Sequence, residues 1–267
     1  KKKITLLSHK KIKSSFLNKF EVLKFDLKKR KIPNLNCDIL IHAAAITPQK
    51  SYSWKEFNNV NFLSLKSIIK KIKIKNKLIF FSTTDIYKNQ NLNFLVKEHL
   101  KINHKEISGY AKSKYNCENF LKNLNKKKYP FKKLVLRLPG IVGKKNHDNF
   151  ISNLTKNIIL KKQMIYYGGD NLFNNIYHID TLVKLIKILI KKKIKKNFDI
   201  INTGTNKPIK INKIIQILKG KINKKNIKVS KKDMFTIDVT KLNKYYKSNP
   251  NTKFIIKKYF KEKINSK

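Results

Sequence analysis

Tyr110-Ala-Lys-Ser-Lys114 sets a phenol and an ammonium one helical turn apart, on a single face. A cation beside a phenol favours the phenolate, and a tyrosine whose pKa is lowered in that way can take a proton from an alcohol, or return it, while a hydride leaves the same carbon. Upstream, an apolar run ends in Phe81-Ser82-Thr83-Thr84. A hydroxyl at a strand end can hold that same alcohol, and any of the three could face it. With 64 Lys and Arg among 267 residues, a Tyr-x3-Lys pair arises easily by chance. Its weight therefore depends on the elements around it.

Those elements alternate. Apolar or alternating runs predict strands over residues 4–7, 21–25, 38–43, 78–81, 133–138 and 198–202. Helical spacing predicts helices over 14–19, 58–74, 108–123 and 181–194. The run at 38–43 is nearly all apolar, as a strand buried on both faces should be. The alternation predicts an α/β fold, a Rossmann-like parallel sheet flanked by helices, with its sites at the strand carboxyl ends. Several polar residues have ordinary readings. His42 sits inside an apolar strand and reads as a core histidine. Asp180 reads as the N-cap of the helix from Thr181 onward. His178 and Asp180 lack a third metal ligand at suitable spacing. Asp85 reads as a turn residue, and Gly168-Gly169-Asp170 as a turn.

Composition narrows the class. A hydrophobic share of 40% with long apolar segments is that of a globular chain. Two cysteines, Cys37 and Cys117, do not make a disulfide framework, and Cys37 reads as a small core residue. No apolar run is long enough to span a bilayer, and the basic start lacks the apolar segment of a signal peptide, so the expected location is cytoplasmic with no membrane partner. A net charge of +49 raises the question of nucleic acid. Only Arg30 and Arg137 are arginine, however, and base readers favour Arg. The lysines are spread along the whole chain, beside equally inflated Asn and Ile. They read as a solvated coat giving weak, salt-sensitive contact with polyanions, and no specific nucleic-acid partner is expected.

With this pattern in hand, the chain resembles the extended short-chain dehydrogenase/reductase family, the NAD(P)-dependent nucleotide-sugar epimerases and dehydratases. Asp38-Ile-Leu-Ile-His-Ala-Ala-Ala45 resembles the family strand whose end packs against the cofactor. Asn59-Val60 resembles the helix carrying an active-site Asn, and Asn59 could equally cap a helix. Phe81-Ser-Thr-Thr-Asp-Ile-Tyr87 resembles the motif whose catalytic hydroxyl is Thr83 here. Glu98 and Ser108-Gly-Tyr-Ala-Lys-Ser-Lys114 follow at family-like spacing, and Leu136-Arg-Leu-Pro-Gly140 resembles the next strand exit, at Pro139. Asn175-Ile-Tyr-His-Ile-Asp-Thr-Leu182, Ile201-Asn-Thr-Gly204 and Asp238-Val-Thr-Lys-Leu242 match later landmarks. The resemblance implies a cofactor-binding domain over 1–140, continued near 175–204, and a smaller C-terminal substrate-binding domain interleaved over 141–267. It implies epimerisation or reduction of a nucleotide-linked sugar, with Tyr110 as acid/base, Lys114 lowering its pKa and holding the nicotinamide ribose, and Thr83 bonding the reacting oxygen. It also implies a homodimer.

Three departures qualify it. The first of the seven glycines is Gly109, so the N-terminal half holds no glycine-rich phosphate turn. In one alignment residues 4–7 are the family's first strand with its glycines lost. In the preferred one they are the second strand, with Asp26-Leu27 as the adenine-contacting pair. Ser8 and His9 then stand at that strand's end in place of an acid, which leans the cofactor toward NADP over NAD. Thr84-Asp85 replaces the Asp-Glu of the dehydratases, which ranks dehydratase below epimerase or reductase. Asn174-Asn175 stands where relatives carry an Arg toward the diphosphate. The rival reading is a non-catalytic member of the fold that has lost cofactor binding.

Overall fold

The computed structural model describes residues 3–9, 20–29, 31–90, 92, 94–162, 166–218, 227–228 and 235–265. The helix expected over 14–19 lies outside them. Strands β1 (Thr5–Ser8) and β2 (Glu21–Lys24) lead to β3 (Asn36–His42). One continuous helical stretch follows: α1 (Trp54–Phe57), a π-helical segment over Asn58–Leu63, and α2 (Ser64–Lys71). Ser53 and Glu56 form a capping box at its start, each satisfying the other's backbone N–H. Next come β4 (Lys73–Thr83), the short β5 (Leu95–Val96), α3 (Gly109–Lys122), β6 (Lys132–Leu138), β7 (Gly140–Val142) and α4 (Phe150–Ile159). β8 (Tyr166–Tyr167), β9 (Leu172–Phe173), β10 (Ile176–His178), α5 (Ile179–Lys191) and β11 (Phe198–Asn202) come after these. β12 (Ile209–Lys210), α6 (Ile211–Ile217), β13 (Ile227–Lys228), β14 (Thr236–Ile237), α7 (Thr240–Tyr245) and α8 (Thr252–Ile264) complete the described chain.

The central sheet is parallel throughout, in the order β11-β6-β4-β3. Period-two alternation explains its two cores. Leu78 and Phe80 of β4 and Val135 of β6 face Leu65, Ile68 and Ile69 of α2 and Cys117 and Leu121 of α3. Ile79, Leu134 and Leu136 turn to the other face, against Leu182, Leu185 and Leu189 of α5 and Leu242 of α7. Both faces are covered, as a parallel sheet requires. A third cluster joins α4, α6 and α8 through Ile151, Ile214, Ile255 and Tyr259.

β1 and β2 form a separate parallel pair, with Thr5 opposite Glu21 and Ser8 opposite Lys24. Leu7, Phe25 and Leu27 pack on the cluster that holds Cys37 and Leu40 of β3. Among the described residues, no strand bonds both β1 and β3. β1 is bonded to β2 and, among the described residues, not to β3.

Several local expectations shift. β4 starts at Lys73, so the helix expected to run to residue 74 stops at Lys71. Asp180 is not the cap of α5. His178 is, accepting the Asp180 N–H at Nδ1. Asn59 caps nothing, since it lies within the π-helical segment. His42 is a core histidine, 5% exposed and stacked on Phe80. The lysines are not all coat: Lys77, Lys114 and Lys133 are buried. No described helix is long and apolar enough to cross a membrane.

Candidate active site

Parallel strands end on one side of a sheet, and a cleft of about 900 Å³ opens there. Ala43 and Ala45 come to it from the end of β3, Thr83 from β4, Pro139 from β6, and Tyr110 and Lys114 from the first turns of α3. Ser108 starts α3 by accepting the Ala111 N–H, which aims Tyr110 at the strand ends.

Lys114 is 2% exposed. Its ammonium donates to the Phe81 carbonyl at 2.7 Å and lies 4.8 Å from the centre of the Phe80 ring. Burial lowers its pKa to about 8, against the opposing pull of Cys117 and Glu118. His42 is driven to about 3, by burial first and then by the Lys114 charge, and is neutral.

Tyr110 departs from expectation. Its pKa is raised, not lowered: burial is the largest cause, the Asp85 carboxylate the next, and a side-chain hydrogen bond with Thr83 opposes them. The ammonium is turned to the Phe81 carbonyl, so the cation that was to stabilise the phenolate acts on the backbone instead. Tyr110 is thus held as a neutral phenol, with its ring against Phe57. Asp85 is more than a turn residue, since it lines the cleft and pairs with Lys88 at 2.6 Å.

The remaining sequence candidates fall elsewhere. Ser8, His9, Asp26 and Leu27 sit at the ends of β1 and β2, outside the lining, with His9 Nδ1 3.7 Å from Asp26 Oδ2. Ala44 and Asn59 are also outside it. Two residues beyond Asn59, Asn61 makes the linking contacts. Its side chain accepts the Ile46 N–H at 2.9 Å and donates to the Ile46 carbonyl and to Ser113 Oγ. It clamps the loop after β3 to α3. Asn61 lies beside Val60 and Ser64 on the buried side of its helix. A π-helical stretch commonly marks a functional site, and this one carries Asn61. Of the Asn pair in place of the family's Arg, Asn175 lines the cleft and accepts from Thr84 Oγ1 at 2.9 Å. Asn174 is buried on backbone groups of Thr205 and Ile237. Lys144, Lys145 and His147 also line the cleft.

A third carboxylate near His178 and Asp180 was not visible in the spacing. Glu262 comes from α8 to 3.0 Å from His178 Nε2. The Lys258 ammonium pairs with Asp180 in the same group.

The small lining of Ala43 and Ala45 leaves room for a flat ring. A lysine ammonium has three donors, and one of those on Lys114 meets Phe81 O. Two remain for a ribose diol. These residues fit the nicotinamide half of a dinucleotide.

Comparison with known proteins bears on the family and the fold. A family profile described as the NAD dependent epimerase/dehydratase family matches residues 2–204. An uncharacterized protein of Methanocaldococcus jannaschii is 25% identical over 195 residues, which is 70% of this chain and 58% of that protein's length. The structure of MoeE5 in complex with UDP-glucuronic acid and NAD superposes with a TM-score of 0.76 at 14% identity, covering 99% of this chain and 92% of the other. UDP-glucuronic acid 4-epimerase from Bacillus cereus in complex with NAD gives 0.70 at 20% identity, covering 93% and 82%. Both share the Rossmann-like fold. The chain belongs to the NAD dependent epimerase/dehydratase family.

Proposed function

We propose that this chain is the catalytic body of an NAD(P)-dependent epimerase or reductase acting on a nucleotide-linked sugar. The observation that carries the reading is the convergence of Tyr110, Lys114 and Thr83 on one cleft at the strand carboxyl ends. A nicotinamide, when bound, supplies an exchangeable hydride. Ala43, Ala45 and Pro139 would flank it, and Lys114 would hold its ribose through the two donors that Phe81 leaves over.

Tyr110, a neutral phenol, donates its proton to a ketone oxygen as that oxygen becomes an alkoxide, which is the reductive half of either reaction. Thr83 holds the same oxygen. Removing a proton from the alcohol, the oxidative half, needs positive charge near the phenol, which the Lys114 ammonium would supply on turning from the Phe81 carbonyl toward Tyr110. Lys144 and Lys145 at the cleft supply the charge that the absent Arg does not, suited to a diphosphate. The enzymes of the two superposed structures, held with UDP-glucuronic acid or named for it, support a UDP-sugar as the first substrate to try. The NADP preference rests on Ser8 and His9 alone. Around this cleft we propose a cofactor-binding part over 1–140 and a substrate-binding part over 141–267.

The test is to incubate the protein with UDP-glucuronic acid and NAD+, then with NADP+, and follow inversion at the sugar by proton NMR. The second epimer should appear with the unaltered chain and form about 10²–10⁴-fold more slowly with Tyr110→Phe. Conversion undiminished by Tyr110→Phe would overturn the assignment of the phenol.

A further inference from the structure

Lys144 and Lys145 stand on an exposed turn between β7 and α4, and Asp148 follows on the same stretch of the cleft wall. A segment that carries both signs of charge attracts or repels an anion according to which side its backbone aims inward, so the way it is held decides what it binds. At its base, Asn149 caps α4 and donates its amide to the carbonyls of Ile141 and His147. From outside, α8 reaches it twice. The Tyr259 hydroxyl donates to Asn146 Oδ1 at 3.0 Å, and the Lys263 ammonium donates to the Lys144 carbonyl at 3.2 Å. Tyr259 is 1% exposed, in one cluster with Val142 of β7, Ile151 of α4 and Ile255 of α8. Burial raises its pKa, so its hydroxyl stays a donor. The α8 helix is itself fixed to the start of α5, through Glu262 with His178 and Lys258 with Asp180.

We propose that Tyr259 is a positioning residue for the substrate's diphosphate: through Asn146 it sets the turn so that the Lys144 and Lys145 ammoniums, rather than the Asp148 carboxylate, meet the ligand. This rests on the reading of those two lysines as the cations for the diphosphate. Asn146 is placed to transmit the effect. It lies between the lysine pair and Asp148 in sequence, and its amide is bonded at both ends, Oδ1 to Tyr259 and Nδ2 to the His147 carbonyl at 2.7 Å. The position of a buried ring on α8 is thereby passed to the backbone of an exposed turn. A turn held in this way is ordered before the ligand arrives, whereas an unpinned one must be ordered by the ligand, which weakens binding.

A hydroxyl that only stabilised the fold would not act through the lysines, so the test is a double-mutant cycle read by calorimetric titration with UDP. Y259F removes the hydroxyl and keeps the ring. The UDP dissociation constant should rise about fivefold in Y259F, the effect of losing one neutral hydrogen bond. It should rise about tenfold or more in K144Q/K145Q, and Y259F should add less than about twofold in that background. N146A, a change on the turn itself, should reproduce the Y259F loss and carries the test if Y259F does not fold. Leu185→Ala, which weakens the fold from a different cluster, should leave the UDP affinity within about twofold. An unchanged affinity in Y259F and N146A, or the same factor with and without the lysines, would overturn the proposal. An affinity indifferent to the lysines themselves would remove the diphosphate reading, and the proposal with it. Neither dinucleotide binding nor conversion is measured, so failure here is distinct from failure of the proposed activity.

Discussion

Lys114 carries a charge in a place that penalises it, and that penalty is measurable. Its folded pKa of about 8 lies below the usual 10.5. Between those values the unfolded chain holds more protons than the folded one, so stability rises with pH through that window and the full cost is carried below pH 8. Lys114→Met should therefore be more stable than the unaltered chain at pH 7 by roughly 1–3 kcal/mol, after allowing for the lost bond to Phe81. The gain should fade between about pH 8 and 10.5. Urea denaturation of both proteins at pH 7 and 10 checks this, and a gain that grows with pH would contradict the burial account. Asn61 gives the opposite case. Asn61→Ala strands the Ile46 backbone groups and Ser113, and should cost about 1–3 kcal/mol. The types and spacing of Tyr110, Lys114 and Thr83 were legible in the sequence, because helical and strand periods put them on faces that meet. The direction of the Tyr110 pKa was not. It depends on where the ammonium points, and the Phe81 carbonyl that captures it lies far away in sequence. Asn59 was chosen over Asn61 for a similar reason, since their neighbours look alike until the backbone shows which one faces α3.

At the scale of elements, periodicity located every strand of the central sheet, because each is an apolar run bounded by polar or small residues. Boundaries slipped where a side chain from elsewhere decides them. β4 extends back to Lys73, pairing its early residues with β3, although Lys73, Lys75 and Lys77 give it no apolar signature. Lys77 shows why a lysine is tolerated there. Its ammonium donates to the carbonyls of Ile190 and Lys192, and to that of Leu189, at the C-terminal end of α5, where backbone acceptors lack helical partners and a cation is favoured. Lys77→Met should lower stability by about 1–3 kcal/mol in urea denaturation, whereas a change within about 0.5 kcal/mol would mean that solvent satisfies those carbonyls as well. On the opposite face of the α5 helix axis from solvent, Leu185 is fully buried. Leu185→Ala should cost about 2–5 kcal/mol by the same measurement.

For the whole molecule, +49 formal charges make a field that acts beyond the cleft. Nonspecific DNA should bind at about 50 mM salt and release by about 200 mM, as for a diffuse lysine coat. Retention at higher salt would require a clustered basic face. The fold was largely readable because strand and helix alternate along the chain, whereas contacts such as His178 with Glu262 link distant segments and leave no local pattern. The account as a whole rests on Tyr110, Lys114 and Thr83 surrounding a nicotinamide. Its most direct test is titration of the purified protein with NADH and NADPH, read by nicotinamide fluorescence, beside Lys114→Met. Saturable binding to the unaltered chain, weakened about tenfold or more by Lys114→Met, is the predicted result. A folded protein that binds neither dinucleotide, or binds equally well without Lys114, would contradict it.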